Sequence, residues 1–241
     1  TWEARWGGLV LAQGGAGLAA LFILSRTAWF RRPVSLASLR EPLRFSLPMI
    51  LAMLAYVGYQ SADRLYVAIF GGVAAAGRYE AAYRLALLVN TVNLVTLKSF
   101  TPLFYSAYGR GEHEEALRLL RRTSLQAAAW IALLTIALPA IGAYTPILAE
   151  SYRSSPGVIL SIPILAVGLG CLGISFLWQA PLLAAARTRT VSAIAVTTAL
   201  VNLAADLALV PRYGELGAAW GTLIAFALML ALTMAVAKRD G

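Results

Sequence analysis

Long apolar runs alternate with short polar connections along the chain. Trp6–Leu24 and Phe45–Ala62 carry no charge, and Asp63-Arg64 then precedes the apolar Leu65–Phe70. Tyr79–Tyr108 is mostly apolar but holds Glu80, Arg84 and Lys98. Thr123–Ala149, Ser154–Ala186 and Leu216–Ala237 are uncharged, and Thr190–Pro211 is interrupted only by Asp206. A bilayer crossing needs about 20 apolar residues. The pattern predicts an all-α polytopic membrane protein with about seven transmembrane helices. No run alternates with the period of two that a barrel strand requires.

The connections fit helices in lipid. Pro42 stands at an expected first helical turn. Gly71–Gly77 reads as a short Gly/Ala turn, and Gly109–Arg122 (GRGEHEEALRLLRR) as a polar helical surface segment. Tyr152–Gly157, Arg187–Arg189 and Pro211–Gly214 read as turns. Pro48 is expected to kink the second run and free a backbone carbonyl.

Composition sharpens this picture. The chain is 60% hydrophobic and 13% charged, against about 25% charged in soluble domains, which excludes a water-soluble globule. A formal charge of +9 would point to nucleic acid in a soluble protein. Here topology accounts for it. With the loop after the first run inside, thirteen of the twenty basic residues are cytoplasmic: Arg26, Arg31, Arg32, Arg40, Arg44, Arg110, Arg118, Arg121, Arg122, Arg187, Arg189, Lys238 and Arg239. The positive-inside rule then places Thr1 outside and the C-terminus inside, with no nucleic-acid partner. An odd number of crossings with an external start predicts further sequence upstream.

Charge inside a membrane is costly, about 2.5–3.5 kcal/mol per residue, and marks pathways. At about 100° per residue, Glu80, Arg84, Thr91, Lys98 and Thr101 form one stripe down the third run. The stripe rises about 32 Å, the depth of a bilayer. Glu80 and Arg84 are spaced to pair, whereas Lys98 has no partner on its own helix. The stripe either lines a water-filled cavity or glues this helix to acids on others; both answer the same cost. Asn90 and Asn93 fall on other faces and are expected to bond to neighbouring helices.

Two further places stand out. Tyr56, Tyr59, Gln60 and Asp63 share one face, suited to stacking and hydrogen bonding with sugars or to an aromatic belt at the interface. Asp206, one turn after Asn202, reads as a proton- or cation-binding carboxylate or as an outer-leaflet polar group hydrogen-bonded to Asn202. The second is the cheaper arrangement near an interface.

Other chemistry is thin. One cysteine and one histidine exclude an internal disulfide and a multi-histidine metal centre. Cys171 reads as a small apolar packer, and His113, among Glu112–Glu115, as solvated. No nucleophile–His–acid set is present. The aspartates Asp63, Asp206 and Asp240 are too scattered for a glycosyltransferase metal site. No cofactor is implied, and the chain does not read as an enzyme.

The stretch LRFSLPMILAMLAYVGYQSADRLYVAIFGGVAAAGRYEAAYRLALLVN (43–90) resembles the start of the C-terminal half of Wzx-type polysaccharide flippases. A basic linker leads to a helix ending at Ala62-Asp63-Arg64, then a small-residue turn, then a Tyr79–Arg84 helix. NLAADLALVPRYGELGAAWGTLIA (202–225) is similar to another stretch of the family, with Asp206 where an Asn is usual. The resemblance covers roughly residues 40–238. It implies residues 1–25 as the last helix of an N-terminal lobe, 26–42 as a cytoplasmic basic linker, and 43–241 as a six-helix lobe. It also implies two lobes rocking about a central cavity in the cytoplasmic (inner) membrane. The substrate would be an isoprenoid pyrophosphate carrying an oligosaccharide for polysaccharide or lipopolysaccharide biosynthesis. Its partners would be membrane lipid and the N-terminal lobe. In such a protein Arg84, Lys98 and Thr91 would line the cavity, Tyr56, Tyr59 and Gln60 would contact glycan, and Asp63, Glu80 and Asp206 would be coupling candidates. The rivals are a cation-coupled multidrug exporter of the same architecture, which would want acids in its cavity, and a non-transporting membrane scaffold.

Overall fold

The structure, a computed structural model, describes residues 14–15, 17–20, 22–23, 26, 36–144 and 156–239. The expected first crossing and the basic linker lie largely outside the described residues. The chain divides into units 1–44 and 45–241. The helices are α1 (Leu36–Gly109), α2 (His113–Tyr144), α3 (Pro156–Ala184), α4 (Thr188–Tyr213) and α5 (Glu215–Arg239). Each contains a stretch long and apolar enough to cross a membrane. Among the described residues there is no strand. The protein is an all-α, multi-pass membrane protein, as its apolar runs predict.

Helix α1 has 74 residues, which would measure about 111 Å if straight. It is not straight. Gly72 has φ 82° and ψ 169°, a region open essentially only to glycine. Asp63 meets Tyr79 and Arg64 meets Glu80 across it. These pairs lie about equally far on either side of Gly72, so α1 is an antiparallel hairpin of two arms, 36–71 and 73–109. The turn is shorter than the Gly71–Gly77 expected, because one glycine reverses the chain. The alanines that follow, with their high helix propensity, restart the helix at once. The backbone stays helical through Pro48, and Gly72 alone departs from helical geometry within α1.

The segment after α1 is a turn rather than a continuous surface helix. Gly111 takes φ 80°, and α2 then starts at His113 with Glu114 and Glu115 in its first turn, where acids suit the helix dipole. Arg110 clasps Glu112 at 2.6 Å. The guanidinium holds the Glu112 carboxyl below its ordinary range.

Helix α3 packs against α2 and α5, and α5 also packs against α4. The most apolar stretch of α3 is the most buried of the crossings. Asn93 in the second arm donates from Nδ2 to the Leu169 carbonyl of α3 at 2.9 Å, the neighbour-helix bond expected of it. Cys171 is half-buried against the core. Leu54, Ile69, Ile136 and Leu200 are exposed, as lipid-facing side chains should be. The turn expected at Pro211–Gly214 narrows to Gly214, since α4 runs on through Pro211 to Tyr213. Arg78 then ties the second arm to Glu215 at the start of α5, at 2.5 Å.

Helix α3 ends in a turn that closes on itself. Arg187 N–H donates to the Leu182 carbonyl at 2.8 Å and Ala186 N–H to the Leu183 carbonyl at 3.0 Å. Ala186 sits at φ 55°, where glycine is the usual residue. Two opposite substitutions are diagnostic. Gly72→Ala should lower the thermal midpoint in detergent, by about 1–3 kcal/mol of stability. Ala186→Gly should raise it by about 1 kcal/mol, net of glycine's greater freedom when unfolded. Tryptophan fluorescence on heating checks both, and equal midpoints for all three proteins would contradict these turn geometries.

Candidate functional site

The Gly72 hairpin arranges polar residues in two rows, one inward and one outward. The inward row begins with Asp63, 3% exposed. Its Oδ2 accepts from the Tyr79 hydroxyl at 2.9 Å and from the Thr222 hydroxyl of α5 at 2.6 Å. The Thr222 hydroxyl also lies 3.1 Å from the Ala218 carbonyl. It has one proton, and the shorter, charge-assisted bond to the carboxylate takes it.

Asp206 of α4 is fully buried, with Asn202 one turn away and 1% exposed. Asp63 lies close enough to act on the Asp206 carboxylate electrostatically. Asp206 also crosses α5 at Gly221, where a Cβ would lie 2.4 Å from Oδ1. Only a residue without a side chain lets α5 come so near. Neither Asp206 oxygen accepts a hydrogen bond, nor does Oδ1 of Asp63 or Oδ1 of Asn202. The hydrogen bond to Asn202 expected of Asp206 is therefore not made. Asp206 is an interior carboxylate that faces another carboxylate.

Buried like charges repel, by about 4 kcal/mol for any pair at a separation of about 4 Å and an effective dielectric of 20. Buried acceptors with no donor add about 1–3 kcal/mol each. A single positive charge answers both costs. A proton shared by the two aspartates would do so, and so would a small hard cation ringed by carboxylate and amide oxygens. The cluster can thus bind and release a monovalent cation or a proton.

The outward row begins one residue later on each arm. Glu80 is ion-paired to Arg64 at 2.6 Å and to Arg84 at 2.8 Å. Arg64 also lies over the Tyr83 ring, 4.9 Å from its centroid. One carboxylate between two guanidiniums leaves a net positive charge. Both guanidiniums answer the charge of Glu80. The Arg84 side chain is 75% exposed. Thr91 and Lys98 are exposed, and Thr101 turns its hydroxyl to the Leu97 carbonyl at 2.6 Å. The stripe thus faces outward from unit 45–241.

The tyrosines divide. Tyr59 is 3% exposed, with its ring edge-on to Phe226 and to the half-buried Tyr56. Its place is in the core, so the expected glycan contact is closed to it. Gln60 lies within α1, and its side chain is outside the described residues. Sequence reasoning missed Arg64, Tyr79, Gly221 and Thr222. The usable signal was the near-equal spacing of 63–64 and 79–80 about Gly72.

The chain matches no protein-family model, no curated protein and no solved structure. The site therefore stands on its own geometry.

Removing one carboxylate tests that geometry. In a medium without small cations, Asp206→Asn should stabilise the protein by about 1–3 kcal/mol. Sodium should raise the thermal midpoint of the wild type but not of Asp206→Asn, by ligand linkage. Gly221→Ala, which must displace the Asp206 carboxylate, should also lose the sodium response. If a fall in pH shifts the midpoint and sodium does not, the occupant is a proton.

Proposed function

We propose that the chain is a lobe of a cation- or proton-coupled flippase that moves a lipid-linked oligosaccharide across the cytoplasmic membrane. The substrate in this reading is an isoprenoid pyrophosphate carrying sugars for polysaccharide biosynthesis. The N-terminal end lies outside, the C-terminus lies in the cytoplasm, and the protein is a transporter rather than an enzyme. The resemblance at 43–90 and 202–225 suggests the substrate class. The observation that carries the reading is the offset of the two rows by one residue on the same two arms. Asp63 and Tyr79 look inward to Asp206, while Arg64 and Glu80 look outward beside Arg84.

That offset supplies a mechanism. A cation or proton between Asp63 and Asp206 relieves their repulsion and lets the first arm close on α4. Its loss drives the arm away. Because Arg64 is joined to Asp63 by one peptide bond, the same movement shifts the guanidinium cluster. Arg84, Lys98 and Arg64 attract the pyrophosphate and hold it more tightly in one arrangement than in the other, as coupling requires. The exposed stripe cannot face lipid at acceptable cost. In the proposed assembly an N-terminal lobe covers it and encloses the cavity. Positive cavity walls also disfavour the cationic drugs that a multidrug exporter carries.

Glycan export in cells lacking the native flippase is the direct test. Arg84→Ala and Lys98→Ala, in the intact protein, should each reduce export about tenfold or more, the effect of losing one charge-assisted contact. Protein level should hold, since both side chains are exposed. Wild-type export by both variants would falsify the anion cavity. Drug resistance without a glycan phenotype would favour the multidrug alternative, and loss of folded protein the interhelical-glue reading.

A further inference from the structure

A cavity of about 250 Å³ lies just beyond Thr101, at the end of α1 away from Gly72. It forms where α1 ends, α2 begins and α3 and α5 finish. Its apolar depth is made by Phe104, Ala116 and Leu182, each 1% exposed, and its rim by Tyr108, His113 and Arg187. The cavity is smaller than the 300–1,000 Å³ of most small-molecule sites. The His113 ring stands edge-on to Tyr108, 4.7 Å between centroids, and is exposed at the rim, as its acidic neighbours predict. Arg187 is brought to the rim by the strained turn at Ala186. Its carbonyl accepts from the N–H groups of Thr190 and Val191.

Arg118 and Arg121, together with Glu114, line an adjoining hollow that shares Leu117 with the cavity. Lys238 lies over the Trp178 ring at 5.9 Å. An aromatic rim, cations and an apolar floor at the ends of membrane-crossing helices match an anionic amphiphile at the membrane surface.

We infer that this cavity binds the phosphate headgroup of an anionic phospholipid from the leaflet at the basic end of the bundle. The phosphate sits between Arg187 and His113, and the glycerol and upper acyl chain lie against the Phe104–Leu182 floor. A free phosphate would use the cations and leave that floor unmatched. The site is independent of the flippase reading and needs no transport to be observed.

The test is lipid retention by the purified full chain in nanodiscs that mix phosphatidylglycerol with phosphatidylcholine. Wild type should be enriched in phosphatidylglycerol when released into detergent and weighed by native mass spectrometry. Arg187→Gln should lower that enrichment about fivefold, the effect of about 1 kcal/mol per surface cation. Arg187→Lys should largely restore it, and Arg212→Gln, in the last turn of α4, should leave it unchanged. If Arg187→Gln does not yield folded protein, the same comparison is read on His113→Gln. Equal retention by wild type and the Arg187 or His113 variant overturns the site. Displacement of the lipid by inorganic phosphate alone overturns the commitment to a lipid.

Discussion

Asp63 and Asp206 are held together where no water-exposed surface reaches them, and the rest of the bundle is arranged around that fact. Bringing the two charges together takes three helices. The Gly72 hairpin supplies Asp63 and the Tyr79 hydroxyl, α4 supplies Asp206 and Asn202, and α5 supplies Thr222 and the bare backbone of Gly221. A structural core has no use for an arrangement that opposes folding. An apolar pair of similar shape would be at least as stable. In the proposed flippase that repulsion is the element a bound cation or proton would bias.

The hairpin turns that local event into a larger one. Helix faces repeat every three to four residues, so neighbours such as 63 and 64 point in different directions. On the two arms this places a carboxylate–phenol contact inside and a guanidinium–carboxylate contact outside, one residue apart. Helices are stiff along their length, so a shift at the inner contact carries the outer one with it. Arg78–Glu215 fixes the second arm to α5 near the turn. Asp63, through Thr222, fixes the first arm to the same helix.

The sequence made some of this legible and hid the rest for physical reasons. The membrane crossings follow from apolar runs, a signal local to each helix. The Glu80–Arg84 pair follows from spacing on one helix, and its partner is found at 2.8 Å. Asp206 was misjudged because its nearest polar neighbour in sequence, Asn202, is not what it faces. Its true counterpart is 143 positions earlier, beyond any periodic pattern. Tyr59 shared a helical face with Tyr56 and Asp63, but that face turns to α3 and α5, so the shared polarity meant burial. Arg64, the second partner of Glu80, stands across a turn whose sharpness only the Gly72 backbone reveals.

The same reasoning separates the two kinds of exposed residue on this bundle. Leu54, Ile136 and Leu200 are exposed and apolar, which lipid satisfies at no cost. Arg84 and Lys98 are exposed and charged, which lipid does not satisfy at mid-depth. Long side chains can reach an interface from a helix end, but a stripe from 80 to 101 runs through the whole crossing. Its middle must meet water or protein. Within unit 45–241 no described helix covers it, while the apolar faces around the rest of the bundle need no cover. The demand for a second surface therefore falls on one side only, the side that carries the cations.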